Sequence, residues 1–265
     1  MRQILAVASD FGIETFDTAA DYGDSESRLG SLLRAAERHY VTKFSLPADS
    51  TVPITAELLF ERSAETLGID ALDGVLFHRV SDLEDPRRFA ALEILRAARE
   101  SGQVGRIGVS IYDSEDLELA LRSFPDLDLL QLPGNVVDRR LLDNPKIAEL
   151  RHAGVEIHVR SAFLQGLLLS VPTALPQFFS PLLPILDALA RQAVEGETSV
   201  LGLVIRFLRD HKNVDGVVVG ATTARELATI TAEWDDNKSE PVDINFALPS
   251  SLLDPRSWPA IKVLS

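Results

Sequence analysis

Short apolar segments alternate along this chain with longer segments of mixed polarity. The short segments are rich in Val, Ile and Leu and show no regular exchange of apolar and polar residues, which is typical of strands covered on both faces. They predict seven strands, at Glu14–Thr18, Tyr40–Phe44, Gly74–His78, Arg106–Ser110, Leu127–Leu132, Val155–Val159 and Gly216–Gly220.

The longer segments carry the start and stop signals of helices. Asp85 and Pro86 predict an N-cap followed by proline at the first helical position. The helix behind them is expected over Arg87–Arg99, with Gly102 as its C-terminal stop. Similar signals predict helices at Gln3–Phe11 and Thr55–Leu67, another after Asn144-Pro145, and one at Leu227–Trp234 behind a capping box of Thr223 and Glu226.

The regular order of strand and helix predicts an α/β fold with a parallel sheet, either doubly wound or closed into a barrel. A doubly wound sheet usually carries GxGxxG after its first strand, and Gly102, Gly105 and Gly108 have the wrong spacing for that motif. Seven strands behind a leading helix favour a TIM-type (β/α)8 barrel that lacks its first strand. Because no linker-like segment interrupts the pattern, residues 1–265 are expected to form a single barrel domain.

Because a helix precedes the first predicted strand, the order of elements also bears on where the chain begins. We expect that Met1 is an internal start, or the start of a truncated or degraded copy of a longer gene. A barrel without one strand exposes two strand edges, which favours aggregation or pairing with another chain.

Composition and charge narrow the classes of function. The 265 residues are 46% hydrophobic and 25% charged, which excludes a disordered or collagen-like chain. The formal net charge of −14 repels phosphate backbones, so no nucleic-acid partner is expected. No apolar run approaches the roughly 18–20 residues that span a bilayer, and the sequence contains neither a recognisable targeting signal nor a cysteine. We therefore expect a soluble cytoplasmic protein without a membrane partner, and the sequence leaves its oligomeric state open.

Polar side chains at the C-terminal ends of the predicted strands are the candidates for chemistry, because barrel enzymes build their sites there. Each has a structural alternative: Asp17 could cap a turn, Lys43 could be a solvated strand end, and His78 could be a bonded core histidine. An acid, an ammonium, a phenol and an imidazole on one rim together predict a catalytic site. The candidates are Asp17, Tyr22, Lys43, His78, Ser110 and Gln131.

An ordered set of motifs resembles those of the aldo-keto reductase superfamily and covers nearly the whole chain. The most specific is the run from Phe16 to Glu26, FDTAADYGDSE, with Leu29-Gly30 behind it. The later matches are Val41–Lys43, Leu76–His78, Gly105–Ser110, Gln131–Pro133 with Asn135, Gln165–Leu168 and Val218–Gly220.

The resemblance implies a barrel that binds NADPH or NADH and reduces a small-molecule aldehyde or ketone. Tyrosine has an unperturbed pKa of about 10 and is a weak acid at neutral pH. The Lys43 ammonium would favour the phenolate of Tyr22, and Asp17 would keep that ammonium charged and in place. His78 would donate a hydrogen bond to the carbonyl oxygen. The implied catalytic tetrad is Asp17, Tyr22, Lys43 and His78.

The implied cofactor contacts match the family less closely. The resemblance places Gln131 on the nicotinamide carboxamide and Ser110 beside it. Ile111 replaces the asparagine that usually follows this serine, while Arg160 replaces a stacking aromatic residue and leaves Phe163 as an alternative. The remaining implied contacts are Ser161, Gly166, Gly220, Ala221, Thr222 and Arg225.

At the adenosine end, the Gly220–Thr223 turn opens a helix whose N–H groups suit a phosphate. Arg225 lies one place from the position of the family's arginine, which Glu226 occupies. Glu226 also fits as the capping-box partner of Thr223. The resemblance therefore favours NADPH and leaves NADH open.

Other functions remain compatible with these residues. A non-catalytic reductase-like subunit or an inactive truncated copy would explain Ile111, Arg160 and the missing strand. A barrel aldolase would use Lys43 as a Schiff-base amine. A metal hydrolase is disfavoured and no metal site is expected, because the five histidines form no His-x-His pair after a strand. No motif identifies the substrate, whose loops are expected at Ser45–Pro53 and Leu167–Pro184.

Overall fold

The computed structural model describes residues 1–33, 38–171, 173, 175–236 and 248–259. Within them, parallel strands follow the order of the chain: β1 (Thr15–Asp17), β2 (His39–Phe44), β3 (Leu72–Phe77), β4 (Val104–Ser110), β5 (Leu129–Pro133), β6 (Glu156–Arg160) and β7 (Gly216–Val217). The helices are α1 (Arg2–Asp10), α2 (Ser25–Leu33), α3 (Arg62–Leu67), α4 (Arg88–Glu100), α5 (Ser114–Ser123), α6 (Pro145–His152), α7 (Leu183–Glu195), α8 (Val200–Arg209), α9 (Ala224–Asp235) and α10 (Ser250–Leu253). None of the helices in these ranges is long and apolar enough to cross a bilayer.

The alternation of parallel strands and helices confirms the predicted α/β class, and all seven predicted strands are present in the described residues. Most of their ends lie within two residues of the predicted positions. The exception is β7, which was expected over Gly216–Gly220 and covers only Gly216–Val217. The periodicity of the sequence therefore locates each strand but overestimates the last one.

The chain forms two compact units. The first comprises Met1–Leu132 and Glu149–Ile157, and the second comprises Pro133–Ala148 and His158–Ser265. The first unit contains β1 to β4 and most of β5, and the second contains β7 and the end of β6. The organisation of residues 1–265 as one domain stays a prediction.

The strands of the first unit are covered on both faces. Leu76 on β3 packs with Val41 and Leu129 in a buried apolar cluster. Its neighbour Phe77 points to the opposite face, because successive side chains of a strand alternate, and contacts Phe124 ring to ring at 6.0 Å. This two-sided burial is the physical reason for the apolar runs in the sequence.

A close approach of two strands occurs at Gly108. This glycine lies opposite Leu129 in the parallel pairing of β4 with β5. A Cβ atom built on Gly108 would lie 1.7 Å from the carbonyl oxygen of Leu129. The missing side chain therefore permits the pairing that brings Ser110 opposite Gln131 two steps further along the strands.

The second unit has its own apolar core. Leu164, Phe179 and Leu189 are among its fully buried residues. Arg206 on α8 is also buried, and its guanidinium lies 2.9 Å from Asp236 and 3.7 Å from Glu233. A buried cation needs such partners, so this group of charges links the end of α9 to α8.

Two of the predicted helix signals are confirmed, and a third predicted helix is only partly α-helical. Thr223 and Glu226 form the predicted capping box at the start of α9. Gly102 follows α4 with a φ of +79°, the left-handed conformation that glycine adopts without strain. The segment predicted as a helix over Thr55–Leu67 begins instead with the π-helical turn Glu57–Glu61, which continues into α3.

The predicted N-cap at Asp85 is wrong. The helix α4 begins at Arg88, later than expected. The Asp85 carboxylate accepts hydrogen bonds from the backbone N–H and the guanidinium of Arg87, at 2.8 and 2.7 Å. These contacts close a local turn before the helix and lower the pKa of Asp85 to about 2.

The substitution Gly108→Ala is expected to destabilise the protein, because the new methyl group would force β4 away from β5. Overpacking of this kind typically costs about 1–3 kcal/mol, which lowers Tm by roughly 2–12 °C in a chain of this size. Thermal unfolding followed by circular dichroism measures the change. Gly220→Ala is the matched control, since a Cβ atom there meets nothing within 4 Å. Equal Tm values for the two variants would contradict the close approach.

Candidate active site

The turn after β1 positions two of the predicted site residues. β1 ends at Asp17. The backbone then keeps its contact with β2, since the N–H of Ala20 donates to the carbonyl oxygen of Lys43 at 3.0 Å. Gly23, with a φ of +60°, follows Tyr22 and leads the chain into α2. Asp17 and Tyr22 are therefore held at the same end of the strand pair as Lys43.

Lys43 is buried, with 1% of its side chain exposed. Its Nζ donates to Oδ2 of Asp17 at 2.5 Å and to the carbonyl oxygen of Thr18 at 3.0 Å. A buried ammonium is stable only with partners of this kind, so these contacts hold Lys43 in its charged form. Because an ammonium is not a nucleophile, the arrangement disfavours the Schiff-base role.

Asp17 also connects Lys43 to β5. Its Oδ1 accepts a hydrogen bond from Nε2 of Gln131 at 2.7 Å. Gln131 is in register with Ser110 on β4, and both residues are buried. The structure thus brings four predicted residues together at the ends of β1, β2, β4 and β5.

The Tyr22 ring lies close to Lys43, and the His78 ring contacts the Tyr22 ring. Nζ of Lys43 is 5.4 Å from the centroid of the Tyr22 ring. The imidazole of His78 meets that ring edge to face, with centroids 5.6 Å apart and an interplanar angle of 78°. Tyr22 is 48% exposed, so its ring is accessible to a small molecule while Lys43 is not. We call Asp17, Tyr22, Lys43, His78 and Gln131 the strand-end cluster.

A further carboxylate of this site is not predicted from the sequence. Oδ2 of Asp21 lies 3.5 Å from Nδ1 of His78 and accepts a hydrogen bond from the Ser45 hydroxyl at 3.0 Å. The available signal is its position directly before Tyr22. Aspartate near a glycine is equally typical of an ordinary turn, so the sequence does not separate the two roles.

The loop after β2, which carries Ser45, is fixed by the turn after β3. The buried carboxylate of Asp82 accepts the N–H of Leu46 at 2.8 Å, and the Arg79 guanidinium donates to the Leu46 carbonyl oxygen at 2.8 Å. Burial raises the pKa of Asp82, although the Leu46 hydrogen bond and the Arg79 charge oppose that rise. Ser45, next to Leu46, is thereby held near the strand-end cluster.

The predicted cofactor residues after β6 lie in the second unit. Arg160 ends β6. Ser161 adopts a φ of +63°, and its carbonyl oxygen accepts a hydrogen bond from the buried side chain of Asn135. Phe163 packs against the apolar core of that unit, and Gly166 begins a 3-10 turn with a φ of +84°. Asn135 therefore organises this turn.

The turn before α9 is occupied by a side chain of the protein itself. The carboxylate of Glu226 accepts the N–H groups of Thr222 and Thr223 at 2.7 and 3.2 Å, and the Thr222 hydroxyl at 2.8 Å. The hydrogen bond from the Thr222 N–H is the main cause that lowers the pKa of Glu226. The carboxylate thus binds donors that the sequence assigns to a phosphate. Gly220, Ala221 and Arg225 are at least partly exposed beside it.

The predicted site residues are thus divided between the two units. The strand-end cluster and Ser110 belong to the first unit, and the other predicted cofactor residues belong to the second. Ile111, at the position where the family usually has asparagine, is fully buried. The roles that the sequence assigns to all these residues stay predictions.

Comparisons with known proteins agree with this fold. The profile of the Aldo/keto reductase family matches residues 1–241. No curated protein matches the sequence. AKR11C1 from Bacillus halodurans in its holo form superposes with a TM-score of 0.70 at 19% identity, covering 91% of this chain and 82% of that chain. PA4992 from Pseudomonas aeruginosa, provisionally assigned as an aldo-keto reductase, gives 0.63 at 24%, covering 88% and 81%.

The structural likeness confirms the fold class, since aldo-keto reductases are (β/α)8 barrels. The profile match spans most of the chain and includes both the strand-end cluster and the turn before α9. This confirms the resemblance carried by the sequence motifs and supports an oxidoreductase of this type. The chain belongs to the aldo/keto reductase family.

Proposed function

We propose that this protein reduces a small-molecule aldehyde or ketone to an alcohol with NADPH or NADH as hydride donor. The observation that carries the proposal is the buried Lys43 ammonium, paired with Asp17 at 2.5 Å and lying 5.4 Å from the accessible Tyr22 ring. A carbonyl oxygen that gains a hydride on its carbon becomes an alkoxide and needs a proton. The site offers a proton donor, a cation and a hydrogen-bond donor for that oxygen.

Tyr22 is the proposed general acid. When its phenol gives up the proton, the ring carries a negative charge, which a nearby ammonium stabilises. Lys43 supplies this positive charge from beneath the ring, where burial limits the screening by water. Asp17 keeps Lys43 in place and charged through both states of Tyr22.

His78 is the proposed hydrogen-bond donor to the reacting oxygen. Its imidazole meets Tyr22 edge to face, so a carbonyl oxygen that takes the Tyr22 proton lies within reach of the ring. A donor fixed in advance stabilises the charge that develops on oxygen at little reorganisation cost. Tyr22 and His78 thus act on one oxygen from two sides.

The residues at the nicotinamide end fit a dinucleotide. Ser110 and Gln131 are adjacent, buried and polar, and a hydroxyl with an amide suits a carboxamide. Asp17 fixes the Gln131 amide by accepting from Nε2, which leaves Oε1 as the acceptor for the carboxamide nitrogen. When bound, the dinucleotide supplies the hydride. The other proposed contacts, in the second unit, are Arg160, Ser161, Phe163, Gly166, Gly220, Ala221, Thr222 and Arg225.

The proposal extends to one domain over residues 1–265 and to a cytoplasmic location. The alternation of strands and helices from β1 to β6 in the described residues supports the single domain. The lack of cysteine leaves no disulfide that would need an oxidising compartment.

The substitution Tyr22→Phe is expected to lower kcat by about 10²- to 10⁴-fold, the usual contribution of a positioned general acid. The dissociation constants for NADPH and NADH should stay within about twofold, because the hydroxyl protonates the substrate and does not hold the cofactor. Steady-state oxidation of the cofactor with a panel of aldehydes measures kcat. Titration of tryptophan fluorescence measures the dissociation constants of the two cofactors.

Tyr40→Phe is the matched control for this experiment. Tyr40 lies near the opposite end of β2 from Lys43, where its ring contacts Phe16. Its loss of a hydroxyl should leave kcat unchanged. Cofactor binding without turnover in the wild-type protein would instead favour a non-catalytic reductase-like subunit.

The phosphate end fits the dinucleotide less well, because Glu226 already occupies two backbone donors of its turn. A carboxylate at this position repels the 2′-phosphate that distinguishes NADPH from NADH. Glu226 therefore opposes the preference for NADPH that the family resemblance implies.

Glu226→Gln is expected to strengthen NADPH binding relative to NADH by about two- to fivefold, the range of a single charge at a helix N-terminus. The ratio of the two dissociation constants, from fluorescence titration, gives the result. Glu195→Gln, an exposed glutamate at the end of α7 in the same unit, removes the same charge as a control. An unchanged ratio in Glu226→Gln would show that the 2′-phosphate binds elsewhere.

A further inference from the structure

We propose that Asp21 is a positioning residue for His78, which it holds oriented and doubly protonated so that Nε2 donates to the substrate oxygen. This inference rests on the proposed carbonyl reduction. It adds a fifth side chain to the implied tetrad and assigns a specific nitrogen of the imidazole to each partner. The supporting contact is the 3.5 Å approach of Asp21 Oδ2 to Nδ1 of His78.

The Asp21 carboxylate has a defined position despite being more than half exposed. The Ser45 hydroxyl donates to the same Oδ2 that faces His78, at 3.0 Å. Ser45 is itself positioned by its neighbour Leu46, whose N–H and carbonyl oxygen both bind the turn after β3. That turn directly follows His78 along the chain. The two loops and the carboxylate therefore form one connected support for the imidazole.

The chemistry follows from the two nitrogens of the ring. A carboxylate beside Nδ1 favours a proton on that nitrogen. A neutral imidazole protonated at Nδ1 has no proton on Nε2 and could only accept a hydrogen bond there. As long as Nδ1 keeps the proton that faces Asp21, donation from Nε2 to a carbonyl oxygen requires the imidazolium, which the negative charge of Asp21 stabilises. In hydrolase triads a carboxylate beside Nδ1 likewise orients the imidazole and stabilises the imidazolium when it forms.

The other charged groups around His78 leave this role to Asp21. Lys43, from β2, approaches the Tyr22 ring but has its charge balanced by Asp17. Arg79, next to His78, donates to Leu46 and lies 3.3 Å from Asp82. Both cations are therefore already paired with carboxylates, whereas the Asp21 carboxylate lies 3.5 Å from the imidazole.

The pH dependence of turnover tests the proposal. In the wild-type protein, kcat/KM for carbonyl reduction should fall on the alkaline side as the two proton donors, Tyr22 and His78, lose their protons, and the His78 step is the one that Asp21 controls. Asp21→Asn removes the negative charge at almost constant volume, so the proton is lost at lower pH. The alkaline limb is expected to move down by about half a pH unit, which is roughly a threefold loss on that limb. Asp21→Glu keeps the negative charge and should therefore have an alkaline limb close to that of the wild-type protein.

Asp24→Asn is the matched control, because it removes the same charge from the same turn. Asp24 pairs with Arg28 at 2.7 Å and both side chains are largely exposed. This variant should leave the pH profile unchanged. If the alkaline limb moves equally in Asp21→Asn and Asp24→Asn, the shift reflects only the overall charge of the turn, and the proposal is overturned.

A readout independent of activity separates this inference from the proposed function. The titration of the His78 imidazole is followed by NMR in the protein without cofactor, with His78→Gln identifying its signal among the five histidines. Asp21→Asn should move the midpoint to lower pH, and Asp24→Asn should not. If the wild-type protein turns over no carbonyl compound, the proposed function fails, and this titration still decides whether Asp21 controls His78. An unchanged midpoint in Asp21→Asn contradicts the inference whatever the activity.

Discussion

The site in the first unit depends on one constraint, the burial of the Lys43 ammonium. Removing this charge from water is costly unless carboxylate and carbonyl oxygens replace the lost hydration, and Asp17 with Thr18 provides them. Asp17 in turn holds Gln131. Because these side chains come from β1, β2 and β5, a slip of one residue in strand register would turn Lys43 to the other face and leave its charge without a partner. The correct strand register is therefore required for the pairing of the Lys43 charge.

The same arrangement separates a buried charge from an accessible acid. Lys43 lies beneath the Tyr22 ring with almost no exposure, while nearly half of Tyr22 is exposed. Electrostatic interactions weaken in water and persist where water is excluded. The cation therefore acts on the phenol from the protein side, and the proposed proton transfer from Tyr22 would take place on the solvent side. A short turn ending at Gly23 is enough to place Tyr22 near Lys43, because the contacts between β1 and β2 already fix the start of that turn.

In the second unit, polar groups of the turns form hydrogen bonds with one another. Asn135 bonds to Ser161, and Glu226 bonds to Thr222 and Thr223, so these turns satisfy their own donors. In the first unit, by contrast, Tyr22 is presented to solvent beside a charge that is already balanced. The turn before α9 thus has its backbone donors occupied by Glu226. Family membership is compatible with both situations, because the fold sets the positions of the strand ends and the loops set their chemistry.

The amino-acid sequence predicts correctly the parallel strand–helix alternation, the strand-end positions of Asp17, Lys43 and Gln131, and the capping box at Thr223. Each is a local signal, since periodicity and short spacing are properties of consecutive residues. The short extent of β7 and the pairing of Asp21 with His78 become visible only in the folded chain. Where a strand ends depends on its pairing with the neighbouring strand, and the contact of a carboxylate depends on which groups the fold brings close. Both depend on segments far apart in the chain, for which no local pattern exists.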